Sequence, residues 1–166
     1  KLIDRAVPEG TSVEKTDKVF ATFREYYATH SRVKTSMYEG MEQVMDALKE
    51  QNISMAIVSN KADDAVKDLA KYYFAKYIDV AIGEREGISR KPAPDSVYEA
   101  MRLLGATKEN TVYVGDSDVD RATAKNAGIP CISVTWGFRS EELLVSLEPE
   151  YLIHKPEEIL SVVTGK

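Results

Sequence analysis

Apolar positions along the chain change rhythm near residue 37. Before that point Val19, Phe20, Phe23, Tyr26 and Tyr27 recur at helical spacing and predict one helix over 12–30. Ser12 is placed to cap it, although Lys15, three residues on, is not the Glu or Gln of a full capping box. A break follows over 31–36. From Met37 onward, helical stretches alternate with short apolar runs. Helices are predicted over 40–50, 62–73, 95–104, 121–127, 141–147 and 156–163. Buried strands are predicted over 53–58, 77–82, 111–114 and 131–134, with 151–153 lying between the last two helices. The first of these helices carries Met41, Val44, Met45 and Leu48 on one face. Strands alternating with helices imply right-handed crossovers and a parallel sheet, hence an α/β fold. No internal repeat or low-complexity tract interrupts the pattern.

Parallel sheets of this kind bind ligands beyond the carboxyl ends of their strands, so the residues after each apolar run carry the chemistry. After 53–58 come Ser59, Asn60 and Lys61. A hydroxyl, an amide and unpaired backbone N–H groups at a helix start suit an anion. The competing reading is that Ser59 or Asn60 merely caps the helix. After 77–82 the chain passes through Gly83 to Lys91-Pro92-Ala93-Pro94, where two prolines restrain the backbone around a lysine. After 111–114 come Gly115, Asp116, Ser117, Asp118, Val119 and Asp120. Carboxylates this crowded repel one another unless a cation compensates, and Mg²⁺ is a natural compensator because it needs only one or two protein carboxylates. An acidic first turn favoured by the helix dipole accounts for Asp118 and Asp120 equally well, but less well for Asp116. After 131–134, Trp136 either shapes a substrate mouth or covers the edge of the core.

Composition narrows the setting without naming an activity. The chain has 166 residues, 43% hydrophobic and 30% charged, enough for a real core. A net charge of -5 without a Lys/Arg cluster argues against non-specific nucleic-acid binding. One cysteine, Cys131, precludes an internal disulfide and suits a reducing cytoplasm; it reads as a small core residue. No apolar run approaches the roughly 20 residues that cross a bilayer. His30 reads as a helix C-terminal cap and His154 as an isolated loop residue.

Three of these segments together resemble motifs of the haloacid dehalogenase superfamily. Val58-Ser59-Asn60-Lys61 is similar to its second motif and Lys91-Pro92-Ala93-Pro94 to its third. Val114 to Asp120, running into Ala122 to Gly128, resembles the fourth. The likeness covers Met37 to the C-terminus and is strongest to phosphoglycolate phosphatases. It implies a Rossmann-like α/β core over 36–166, with residues 1–35 as the last part of a helical cap. It implies that Ser59, with the backbone at Asn60, holds the transferring phosphoryl group. Lys91 would bind the phosphoryl oxygens and steady the nucleophile, Asp116 would coordinate Mg²⁺, and Asp120 would support the metal directly or through water. The substrate would be a small phosphorylated metabolite, hydrolysed through an aspartyl-phosphate.

The resemblance also calls for a first motif, Asp-x-Asp-x-Thr, at the end of a mid-sheet strand. That sequence is not present in the 166 residues. The chain by itself is therefore expected to lack the nucleophile and the first core strand, and to be inactive on phosphate esters. The alternatives are a phosphosugar mutase of the same superfamily and a catalytically dead phosphate-binding module. A two-component receiver fits less well, because its phosphoacceptor carboxylate would stand alone at a strand end.

Overall fold

Residue alternation along one short strand sets the layers of the fold. In Cys131–Val134, Cys131 enters one apolar cluster while Ile132 and Val134 enter another, because successive side chains leave opposite faces of a strand. A strand buried on both faces needs helices on both sides, as parallel sheets do. The computed structural model describes residues 2–30 and 32–165.

The chain divides into two units, residues 1–36 and 37–166. The first contains α1 (Leu2–Ala6) and α2 (Val13–His30). Within α2, Lys18 pairs with Glu14 at 2.9 Å, Phe23 stacks on Tyr27, and Tyr26 stacks on His30. The Ser12 hydroxyl accepts the Lys15 N–H, as a cap would. Position 31 of the expected break lies outside the described residues; residues 32–36 are non-helical.

The second unit runs α3 (Met41–Glu50), β1 (Met55–Ala62), α4 (Asp63–Tyr73), β2 (Ile78–Glu84), α5 (Asp95–Leu104), β3 (Tyr113–Gly115), α6 (Asp118–Ala127), β4 (Cys131–Val134), α7 (Glu141–Ser146), β5 (Tyr151–Ile153) and α8 (Glu158–Thr164). All strand pairs are parallel. Among the described residues the ladders form two sheets, β1–β2 and β3–β4–β5. On one face Val97 and Met101 of α5 and Ala124 and Ala127 of α6 pack with Tyr113 and Cys131, and Val58 of β1 joins them. On the other, Val44 and Leu48 of α3 and Ile159 of α8 pack on Ile132, Val134 and Ile153. Burying each such aliphatic side chain contributes about 1.5–3 kcal/mol.

Two predicted boundaries move by three residues or more. β1 continues through Ser59, Asn60 and Lys61 to Ala62, with a register shift between Val58 and Ala62. Those polar residues thus lie in an irregular strand end rather than in a helix start. Helix α6 begins at Asp118, three residues earlier than its apolar pattern suggests, because Ser117 caps it by accepting the Asp120 N–H. Among the described residues, no helix is long and apolar enough to cross a membrane.

Candidate active site

The irregular end of β1 brings two side chains to the sheet edge. Ser59 Oγ accepts the Lys61 N–H at 3.2 Å. The Asn60 amide reaches across to the loop before α5. Its Nδ2 donates to the Lys91 carbonyl at 3.0 Å, and its Oδ1 accepts the Lys91 N–H at 2.8 Å. Neither residue caps α4, whose N-cap is Ala62, so the capping alternative does not hold. Asn60 works instead as a clamp on the backbone of Lys91.

The clamp aims the Lys91 ammonium inward. Nζ lies 2.7 Å from Asp120 Oδ1 and 3.0 Å from the Tyr113 hydroxyl, with 12% of the side chain exposed. Tyr113 in turn donates to Asp120 Oδ1 at 3.0 Å, and the Ser117 hydroxyl donates to Oδ2. Burial works to raise the Asp120 pKa, but the Lys91 charge and these hydrogen bonds overcome it and hold the carboxyl below its ordinary value. Burial first, and then the Asp120 charge, push the Tyr113 phenol up, so it remains a neutral donor.

Two of the three carboxylates of the acidic turn have a cationic partner, and the third has a backbone amide. Asp120 takes Lys91. Asp118 takes the Arg139 guanidinium, Nε to Oδ1 at 2.8 Å, and so is an ion-pair partner rather than a solvated cap. Asp116 Oδ2 accepts the Phe138 N–H at 2.8 Å. Among the described residues, no three His, Cys, Asp or Glu side chains are grouped to hold an ion. Mg²⁺ does not require three, since waters and phosphate complete its shell. Asp116, with one oxygen engaged by a backbone amide, fits a direct ligand. Asp120, with both oxygens occupied, fits an indirect support.

Two glycines let the backbone come this close. A Cβ on Gly115 would collide with the Asp120 side chain, and one on Gly137 with the Asp116 carboxylate. Trp136 packs against the β4–β5 cluster and so covers the core edge, while Phe138 is 93% exposed.

Tyr113, Ser117 and Arg139 join these residues without standing out in the sequence: Tyr113 is hidden inside an apolar strand run and Ser117 between aspartates. Arg139 follows a strand end, the same signal that selected Lys91. His30 Nδ1 lies 2.9 Å from the Tyr26 carbonyl, as a terminal cap would, and Cys131 is fully buried. His154 does have a partner, Glu141 at 3.0 Å.

The chain matches the family described as haloacid dehalogenase-like hydrolase over residues 4–134. It is 32% identical over 155 residues to a protein provisionally named pyrophosphatase PpaX from Caldanaerobacter subterraneus subsp. tengcongensis, covering 93% of this chain and 70% of that one. It is 30% identical to pyrophosphatase PpaX of Halalkalibacterium halodurans, covering 92% and 72%. Among solved structures, a protein of Lactobacillus delbrueckii subsp. bulgaricus, provisionally named phosphoglycolate phosphatase, superposes with a TM-score of 0.90. The identity there is 35%, with 96% of this chain and 67% of that one covered.

Proposed function

Because the chain belongs to the haloacid dehalogenase-like hydrolases and has phosphatase relatives, we propose that it forms most of a Mg²⁺-dependent phosphatase site acting on a small phosphorylated metabolite. The observation that carries this reading is the buried Lys91 ammonium, fixed by Asp120, Tyr113 and the Asn60 clamp near the sheet edge that bears Ser59. A preorganised cation beside a hydroxyl donor is what a transferring phosphoryl group requires.

In this mechanism Ser59 and the strand-end N–H groups orient the phosphoryl oxygens. Lys91 offsets their charge and that of the attacking carboxylate. Asp120 and Tyr113 hold Lys91 in place, and Asp116 would hold the metal. When bound, Mg²⁺ neutralises developing charge on the phosphoryl group. The attacking aspartate and its acid–base partner would belong to an Asp-x-Asp-x-Thr sequence outside these 166 residues; the chain spans about 70% of the length of its PpaX relatives. Residues 1–35 would be part of a cap that selects the substrate. Candidate substrates are phosphoglycolate-type esters and pyrophosphate, after the names of the relatives. The enzyme would be cytoplasmic.

The test is hydrolysis of an aryl phosphate by a polypeptide that joins an Asp-x-Asp-x-Thr segment to this chain. Turnover that needs Mg²⁺ and falls at least a hundredfold in Lys91→Met supports the reading. Phosphate binding without turnover would identify a dead binding module, and transfer to a hexose phosphate would identify a mutase.

A further inference from the structure

The acidic turn holds two cations, one at each of two depths. Lys91 on Asp120 is 12% exposed, whereas Arg139 on Asp118 is 45% exposed. Asp116 precedes both aspartates in sequence, and its carboxylate takes the N–H of Phe138, the residue before Arg139. The Arg139 backbone is thereby tied to the carboxylate that fits the metal. Gly137 packs against the same carboxylate with no room for a side chain, so the turn after β4 has little freedom to move away. Asp118 takes Nε, the terminal NH₂ groups have no acceptor among the described residues, and 45% of the side chain is exposed. A guanidinium steadied by one carboxylate and open at its other edge is suited to bidentate capture of a second anion.

We propose that Arg139 is a specificity residue that binds a negatively charged leaving group, so that the preferred substrates carry a second anionic group beyond the transferred phosphoryl. This rests on the phosphoryl site assigned to Lys91 and Ser59. The buried lysine takes the transferred group and the rim arginine takes the anion attached to it. Pyrophosphate and carboxylate-bearing phosphate esters share that chemistry; a neutral alcohol ester lacks it.

The test is calorimetric titration, at excess Mg²⁺, of the polypeptide that joins an Asp-x-Asp-x-Thr segment to this chain, its attacking Asp replaced by Asn so that neither probe is turned over, with inorganic pyrophosphate and inorganic phosphate as probes. This polypeptide should bind pyrophosphate more tightly than phosphate. Arg139→Ala should weaken pyrophosphate about tenfold and phosphate less than about twofold, as loss of one charge-assisted contact implies. Arg139→Lys should recover part of the pyrophosphate affinity, and Lys91→Met should weaken both probes. If Arg139→Ala leaves the pyrophosphate preference intact while Lys91→Met weakens both, the inference is overturned and the phosphoryl site stands. If Lys91→Met changes neither, or the polypeptide with Lys91 and Arg139 intact binds neither, the phosphoryl site fails and the inference fails with it.

Discussion

At the inner end of the Asp116–Asp120 turn a lysine is buried against a carboxylate; at the outer end an arginine lies half in solvent against another. The two pairs have the same N–O chemistry at nearly the same distance, yet they do different work. Removing charges from water is costly, so the inner pair persists only because the Tyr113 and Ser117 hydroxyls also donate to the Asp120 carboxylate. The outer pair remains hydrated and screened, and its geometry is adjustable. Depth separates a fixed electrostatic element from one able to adapt to different ligands.

The sharpest way to break that contrast is to delete each acid. Asp120→Ala should cost about 3–5 kcal/mol in urea unfolding, because it strands the Lys91 ammonium. A loss below 1 kcal/mol would show that Lys91 escapes to water. Gly137→Ala should cost about 1–3 kcal/mol by forcing the Trp136–Phe138 turn off Asp116, visible as a lower melting temperature. Asp118→Ala should cost less than about 1 kcal/mol, and that small difference should vanish in 1 M salt while the Asp120 effect persists.

Asp63 gives a pH-dependent intermediate case. Burial tends to raise its pKa, but hydrogen bonds from Lys67 and the Gly83 N–H, with the nearby Arg85, hold it below the ordinary carboxylate value. A depressed folded pKa gives stability that is present above the unfolded pKa of about 3.8 and lost as pH falls through the folded value. Asp63→Asn should therefore destabilise at pH 7, and its deficit relative to wild type should shrink below about pH 4. The smallest signal concerns Cys131, which pairs in the ladder with Tyr113. Burial pushes its thiol up to about 11. At pH 8 about one thiol in a thousand is ionised, so alkylation of the native chain should be very slow and should become fast only in denaturant.

Much of this was legible in the sequence, and the gaps have physical causes. Helix α5 and strands β4 and β5 match the segments read from apolar pattern and break residues. The end of β1 is hidden in the sequence because polar residues leave the apolar run while the Asn60–Lys91 bonds keep the backbone extended. Helix α1 is too short to show a period. Their places at strand ends are what single out Lys91, Ser59 and Asp116 as candidates in the sequence, and the fold puts Ser59 within the end of β1, Asp116 directly after β3, and Lys91 on the Asn60 clamp. The distribution of three carboxylates among three separate partners is not legible there, because those partners lie 20 to 30 residues away in sequence. Crowded acids announce a need for positive charge without saying which group meets it.

The Asn60 clamp also makes Lys91 a reporter of breathing between the two sheets. Among the described residues no ladder joins β1–β2 to β3–β4–β5. Lys91 nonetheless belongs to both, through its main chain to Asn60 of β1 and through its ammonium to Tyr113 of β3. A main-chain amide held by a distant side chain exchanges its proton for deuterium only when that contact opens. The rate at the Lys91 amide would therefore time the separation of one sheet from the other, and a phosphate analogue that bridges them should slow it.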